Sequence, residues 1–177
     1  KRLISFHNTV NKAKGFSSEV EKVNSLIDEK ERPEGQIWSR HVDGTMAAGK
    51  RRQVIKQLKD LEGFDIGLLT NAKCLSEGVD VPTLDGVAFV EPRSSQVDII
   101  QSVGRAIRKS DNKTKGTIVL PVFLADGDDP DTVISATNFK PIWEVLKALK
   151  AHDESLDKQL DEFRTSLGSS DGRISDR

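Results

Sequence analysis

The chain has 177 residues, of which 36% are apolar, and this length suits one globular domain with a hydrophobic core. Its net charge of -1 excludes a global basic field for nucleic acid, so any polyanion site has to be local. The single cysteine, Cys74, excludes an internal disulfide, and no apolar run is long enough to span a bilayer. We therefore expect a cytoplasmic protein without a membrane partner, and the missing initial Met suggests a fragment of a longer chain.

Strand and helix patterns alternate along the chain. The predicted strands are residues 3–6, 36–42, 66–69, 87–90 and 117–123, and the predicted helices are residues 18–27, 48–61, 95–109 and 139–163. Ser18-x-x-Glu21 predicts a capping box at the first helix, and Gly63 is expected to cap the end of the second. The alternation predicts an α/β fold in which helices cover both faces of a parallel sheet.

In such a fold, active residues gather in the loops at the carboxyl ends of the strands. The acidic segment 126–131, DGDDPD, lacks the spacing of a calcium loop, so we expect a solvated loop and no metal site. Residues 168–177 are polar and rich in Gly and Ser, which is typical of a frayed end.

Residues 44–50, GTMAAGK, fit the pattern G-x-x-x-x-G-K of a phosphate-binding P-loop. Residue 51 is Arg, however, where the pattern needs a Ser or Thr hydroxyl for magnesium, and residues 38–43 make a poor buried strand. The residues therefore favour a loop that leads into a basic helix. A self-contained P-loop NTPase stays an alternative.

Two downstream stretches are more specific. Residues 77–82, EGVDVP, match E/R-G-x-D-x-P, and residues 101–108, QSVGRAIR, match Q-x-x-G-R-x-x-R. In this order they resemble motifs V and VI of the second RecA-like domain of superfamily 2 (DEAD/DEAH-like) helicases and translocases. Residues 3–8 then fall where motif IV belongs, and residues 43–46 with Arg52 resemble the loop and helix that touch the nucleic-acid backbone.

The resemblance covers about residues 1 to 124. Within the superfamily, the sequence most resembles the predicted helicases and ATPase portions of type I, type III and type ISP restriction enzymes. It implies a RecA-like (P-loop NTPase-like) domain at residues 1–137, a C-terminal helical extension at 138–165 and a flexible tail at 166–177.

In function, the resemblance implies the second motor lobe of an ATP-dependent DNA helicase or translocase in a restriction or phage-defence enzyme. ATP and Mg²⁺ would be held mainly by a missing N-terminal RecA-like lobe of the same polypeptide, so this fragment alone is expected to be inactive. The nucleic acid is expected to be DNA because of the restriction-type resemblance. A non-catalytic nucleic-acid or protein-interaction module with a helicase-like fold is the main alternative.

The resemblance also implies site residues. Arg105 and Arg108 would be arginine fingers, which stabilise charge on the transferred phosphoryl group, and Gln101 would contact the phosphates or link to motifs of the partner domain. The implied nucleotide-binding residues are Glu77, Gly78 and Asp80, the last of which would accept a bond from a ribose hydroxyl. The implied nucleic-acid contacts are Thr45, Lys50, Arg52, Thr70 and Asn71.

At helical spacing, Val97, Ile100, Gly104 and Ile107 form one stripe, which we expect to be buried against the sheet. Gln101, Arg105 and Arg108 form the adjacent polar stripe, which would then face a cleft.

Overall fold

The computed structural model describes residues 1–72, 74, 84–108, 113 and 115–150. The elements, in chain order, are β1 (Arg2–His7), α1 (Val10–Leu26), β2 (Ile37–Asp43), α2 (Ala48–Asp60), β3 (Ile66–Ala72), β4 (Gly86–Phe89), α3 (Gln96–Ile107), β5 (Thr117–Val119), α4 (Pro130–Ser135) and α5 (Lys140–Lys150). Each predicted strand and helix has a counterpart among these elements, whereas α4 was not predicted. None of the helices within the described ranges is long and apolar enough to cross a membrane.

The chain divides into two compact units. The first comprises residues 1–91 and 100–120 and holds the sheet with α1 and α2. The second comprises residues 92–99 and 121–177, and its described part contains α4 and α5. The predicted boundaries at residues 137 and 165 stay predictions. The later part of the predicted long helix and the predicted tail lie outside the described residues.

The sheet has the strand order β2-β3-β1-β4-β5, and all four strand pairs are parallel. His7 and Asp43, the last residues of β1 and β2, both lie level with Ala72, the last residue of β3. These strands therefore end at the same edge, which we call the carboxyl edge. The predicted parallel α/β fold is confirmed.

Helices α1 and α2 lie on opposite faces of the sheet. The Thr70 hydroxyl of β3 donates to the Ala13 carbonyl of α1 at 2.8 Å. A Cβ placed on Gly67, three residues earlier in β3, would lie 2.6 Å from Leu61, at the end of α2. Because side chains alternate between the faces of a strand, these two contacts point in opposite directions. Right-handed crossovers produce this arrangement, because the chain moves outward from β1 to β2 through α1 and then back to β3 through α2.

The core explains why β1, β3 and β4 read as apolar runs. Ile4, Phe6, Leu69, Val87 and Phe89 are buried, as expected of strands covered on both faces. The rings of Phe6 and Phe89, which are level with each other on neighbouring strands, stack with centroids 5.4 Å apart. Each such side chain contributes about 1.5–3 kcal/mol through burial.

The first helix begins earlier than predicted. Thr9 is its N-cap and accepts a bond from the Lys12 amide at 3.3 Å, while Ser18 lies inside the helix and donates to the Gly15 carbonyl at 2.9 Å. The predicted capping box at Ser18 is therefore wrong. Two apolar residues near the end of this helix, Val23 and Leu26, are not buried either, since they are 53% and 78% exposed.

Two predicted ends also shift. Leu61, not Gly63, is the C-cap of α2, in a left-handed conformation with φ 43°, and its amide donates to the Gln57 carbonyl at 2.9 Å. Strand β5 ends at Val119, two residues before Pro121, although it was predicted to reach residue 123. Proline has no amide hydrogen to donate to a neighbouring strand, which limits how far the ladder can continue.

The acidic segment is only partly a solvated loop. Asp129 caps α4 by accepting from the Thr132 amide at 2.9 Å. Asp131 accepts from Trp143 Nε1 at 2.8 Å and from Lys147 Nζ at 3.1 Å, so it ties α4 to α5. Among the described residues no group of three His, Cys, Asp or Glu side chains could hold a metal ion.

Candidate functional site

Polar side chains collect at the carboxyl edge. His7, Asp43 and Asn71 are buried there, and Glu91 follows two residues after the end of β4. Because parallel strands all end on one side of a sheet, residues far apart in sequence meet at this edge. The hydrogen bonds and ion pairs that these side chains already make determine which of them could contact a ligand at this edge.

Asp43 has the densest set of contacts. Its Oδ1 accepts from the Thr45 amide at 2.8 Å, the Thr45 hydroxyl at 2.5 Å and the Met46 amide at 3.1 Å, and its Oδ2 accepts from His41 Nε2 at 2.8 Å. The hydrogen bond from the Thr45 hydroxyl, followed by that from His41, holds the pKa of Asp43 far below its usual range and outweighs the effect of burial. Asp43 is thus a buried, charged anchor for the loop that follows β2.

This anchoring argues against a P-loop at residues 44–50. In a P-loop the backbone amides face phosphate, whereas here the amides of Thr45 and Met46 face the Asp43 carboxylate. Gly44 and Gly49 both have negative φ, and a Cβ on either would meet no atom within 4 Å. Nothing in the loop needs glycine, so the geometry favours the predicted loop before a basic helix.

Helix α2 starts at this edge with a strong positive charge. Between Asp43 and Asp60 the sequence has five Lys and Arg residues and no acidic residue. Lys50 and Arg52, two predicted nucleic-acid contacts, are exposed near the start of the helix, while Arg51 is half-buried. The N-cap, Ala47, has no side-chain acceptor, so it accepts no side-chain hydrogen bond from the amides of the first helical turn. These features attract an anion to the helix start.

Three other predicted nucleic-acid contacts are already engaged. The side chains of Thr70 and Asn71 are both 0% exposed, and Thr70 donates to the Ala13 carbonyl of α1. Asn71 Oδ1 accepts from the amide and the Sγ of Cys74, whereas its Nδ2 has no partner within the described ranges. Thr45 is exposed, but its hydroxyl proton is donated to Asp43. Their direct contact with nucleic acid stays a prediction.

Glu91 links the first and fourth strands. It accepts from the Asn8 amide at 2.8 Å and forms an ion pair with Lys12 of α1. Burial raises its pKa, but the hydrogen bonds and charge of Lys12 and the Asn8 amide outweigh burial and leave the pKa below its ordinary value. Sequence reasoning missed this role, although the position after a buried strand was a signal for it.

Helix α3 presents the predicted phosphate-binding residues. Gln101 and Arg108 are exposed and Arg105 is half-buried, so the three lie on the side of the helix that solvent reaches. The pKa of Arg105 is lowered, first by burial and then by the charge of Arg108. A guanidinium group nevertheless stays charged at neutral pH. Two cations held this close together favour a shared anion.

The predicted buried stripe of α3 is wrong. Val97 is 63% exposed, Ile100 is 51% exposed, and Gly104 is exposed as well, while no side-chain position is described for Ile107. The buried face instead consists of Ile99, Ser102, Val103 and Ala106. Both sets follow a period near 3.6 residues, so the period alone could not separate them.

Lys113 is a residue that the sequence gave no reason to select. Its ammonium group donates to the carbonyls of Ala106 and Arg108, at the C-terminal end of α3, and to that of Leu84. Burial lowers its pKa, although the charge of Asp85 acts in the opposite direction. A cation at this place satisfies end carbonyls of the helix that carries the two arginines.

Three predicted nucleotide-binding residues, Glu77, Gly78 and Asp80, lie outside the described residues. The remaining predicted residues form two groups. One is at the carboxyl edge, where Thr70 is level with His41 and Asn71 with Val42, and the other is on α3.

Comparison with known proteins identifies the domain. Residues 1–110 match the family described as helicase conserved C-terminal domain. The chain belongs to this family. The predicted resemblance to the C-terminal RecA-like domain of superfamily 2 helicases is thereby confirmed, as several solved neighbours also indicate.

Several relatives of this helicase C-terminal domain are viral. A probable helicase of African swine fever virus is 46% identical over 55 residues, which are 31% of this chain and 6% of that protein. A putative helicase of Sulfolobus islandicus filamentous virus is 27% identical over 84 residues, which are 48% of this chain and 15% of that protein. The chain therefore spans a small part of the length of these relatives.

Among solved structures, the ATP-dependent type ISP restriction-modification enzyme LlaBIII bound to DNA has a TM-score of 0.68 and 34% identity. The match covers 91% of this chain and 11% of LlaBIII. The C-terminal domain of the DEAD-box protein Dbp5 has a TM-score of 0.52 at 13% identity, and the match covers 90% of this chain and 80% of that domain. The Dbp5 match indicates a shared fold.

Proposed function

We propose that this helicase C-terminal domain is the second motor lobe of an ATP-dependent DNA helicase or translocase. The observation that carries the proposal is the pair Arg105 and Arg108 on the solvent-accessible side of α3, in a chain whose residues 1–110 match the family. In this proposal the two arginines are fingers for ATP bound mainly by an N-terminal RecA-like lobe of the same polypeptide. Gln101 contacts the phosphates from the same helix face.

The arginine pair fits a phosphate group. Arg105 is half-buried beside a like charge, so an anion near both guanidiniums relieves their repulsion and replaces lost hydration. ATP with Mg²⁺ supplies the phosphoryl group that is transferred to water, and the acceleration by an arginine finger is about 10³–10⁵-fold. Arg105 and Arg108 would hold the phosphate oxygens through forked N–H donors, and the bonds of Lys113 support the end of their helix. Glu77, Gly78 and Asp80 are proposed to complete the nucleotide contacts.

The nucleic-acid track is proposed to start at the carboxyl edge. Lys50 and Arg52 are free to meet a phosphate backbone, and contacts of this kind position a strand without reading its sequence. Thr45 and Asn71 stay proposed contacts. Thr70 is proposed to support the track from inside the edge, because its buried hydroxyl donates to the Ala13 carbonyl.

DNA is the proposed track, and a restriction or phage-defence enzyme is the proposed setting. LlaBIII, a DNA-bound restriction-modification enzyme, is 34% identical over a match that covers 91% of this chain. Because the chain spans 11% of LlaBIII, the nuclease, methyltransferase or recognition parts of such an enzyme would lie elsewhere. We expect the 177 residues alone to hydrolyse no ATP at a meaningful rate.

The test is the ATPase rate of the polypeptide that carries both lobes, with and without duplex DNA. Arg105→Ala should lower DNA-stimulated turnover by about a hundredfold or more while ATP still binds, because a finger acts in the transition state. Arg105→Lys should recover little, since an ammonium group lacks the forked donor geometry.

The matched control is Arg32→Ala. Arg32 is an exposed arginine of the same unit, and it donates to the carbonyls of Ser25 and Ile27 at the C-terminal end of α1. Its removal should leave turnover unchanged. Unchanged turnover in Arg105→Ala would contradict the motor-lobe proposal and favour a non-catalytic interaction module.

A further inference from the structure

We propose that Asp43 is a positioning residue, which presets the loop of residues 44–47 and the start of α2 for contact with a phosphate backbone. The proposal rests on the proposed function, because it assigns a role within the same nucleic-acid surface. It concerns a residue that contacts no nucleic acid itself and acts through the backbone that follows it.

The geometry gives Asp43 control of the loop. One carboxylate oxygen accepts hydrogen bonds from the amides of Thr45 and Met46 and from the Thr45 hydroxyl, all within 3.1 Å. The other oxygen is fixed by His41, two residues earlier in β2, so the carboxylate is attached to the sheet at one end and to the loop at the other. At 2% exposure, Asp43 has little access to water that could replace these bonds.

The loop has little else to hold it. Ala47, the N-cap of α2, has no side-chain oxygen, and the Met46 amide makes one further turn bond of 3.3 Å to the Asp43 carbonyl. Lys50 and Arg52 lie in the first turns of α2, soon after this loop. The position of their side chains therefore depends on the path that the chain takes when it leaves β2. Preorganising such a loop lowers the ordering cost of binding.

Because Asp43 is charged, the direction in which DNA affinity changes on mutation tests its role. A carboxylate beside a surface that binds a polyanion repels it, so an electrostatic account predicts that removing the charge strengthens binding. A positioning account predicts that binding follows the geometry of the acceptor and not its charge. Two variants separate these accounts: Asp43→Asn keeps an acceptor oxygen in place without the charge, and Asp43→Glu keeps the charge but displaces the oxygens.

The experiment measures binding of the 177-residue chain to a labelled DNA duplex by fluorescence anisotropy at low salt. Asp43→Asn should bind within twofold of wild type or more tightly, and Asp43→Glu should bind at least fivefold more weakly. Hydrogen exchange of the Thr45 and Met46 amides should stay slow in Asp43→Asn and become fast in Asp43→Glu. If Asp43→Glu does not fold, Asp43→Ala replaces it with the same expected results.

Asp131→Ala is the stability control. It also removes a carboxylate that accepts two hydrogen bonds, but in the second unit, so it should lower the melting temperature and leave DNA affinity within twofold. Wild-type affinity in Asp43→Glu, or unchanged exchange of the two amides, would overturn the proposal. If wild type binds no DNA, the nucleic-acid part of the proposed function fails, and amide exchange alone then supports or overturns the preset loop.

Discussion

Replacing Thr70 with Val separates a structural role from a contact with DNA. The family resemblance implies that Thr70 contacts nucleic acid, yet Thr70 is 0% exposed and its hydroxyl donates to the Ala13 carbonyl at 2.8 Å. Valine has nearly the same shape, so the change removes the hydroxyl and leaves the packing of β3 against α1 close to intact.

The expected loss follows from that one bond. A buried neutral hydrogen bond contributes about 0.5–1.5 kcal/mol, so Thr70→Val should lower the free energy of unfolding by about 1 kcal/mol. In a chain of this size, that corresponds to a fall of about 2–4 °C in the melting temperature. DNA affinity should stay within twofold, because the buried hydroxyl offers nothing to a phosphate.

Thermal unfolding and fluorescence anisotropy with labelled DNA, both on the 177-residue chain, measure the two effects. Thr117→Val is the matched control, because Thr117 lies in β5 of the same sheet with its side chain exposed, and it should change neither quantity. A tenfold loss of DNA affinity without a change in melting temperature would refute the structural role. Thr70 would then act as a direct contact.

Two further predictions concern stability. Gly86→Ala should destabilise the fold by about 1–3 kcal/mol, because the added Cβ would lie 2.8 Å from the main-chain oxygen of Thr117 in the neighbouring strand. Chemical denaturation measures this loss, and a midpoint equal to that of wild type would contradict the close packing. Glu91→Gln should cost about 0.5–1 kcal/mol above pH 4.5, since Lys12 is largely exposed. The folded pKa of Glu91 is below its ordinary value of 4.5, so the difference should shrink as pH falls below 4.5, and a difference that grows with acidity would disprove the sign.

The sheet was predictable because its central strands are covered on both faces. Side chains on either face of such a strand are buried, as Ile4 and Leu69 are. A continuous apolar run was therefore a sufficient signal for a central strand. The helices were harder. In α1 the sequence favoured a start at Ser18, but the packing of Ala13, which is 0% exposed, supports a start eight residues earlier, at Val10.

The site was predictable in its residue types and less so in their contacts. A motif placed Arg105 and Arg108 on one helix, and the structure adds that the first is half-buried and the second exposed. The stripe chosen for burial was wrong because α3 has apolar residues on two sides, and only tertiary contacts select between them. Lys113 had no local signal, since its role is to reach carbonyls of residues before it in the chain.

The strand order has a consequence for how the domain can be assembled or divided. Strands β1 and β2, which come first in this sequence, are not neighbours, because β3 lies between them. The pairing of Arg2 with Gly67 joins residues 65 positions apart, so the ladder of β1 forms only after most of the first unit exists. A piece that stops before residue 66 would hold two strands with no partner strand to pair them. Folding of this domain is therefore a late event that depends on distant segments.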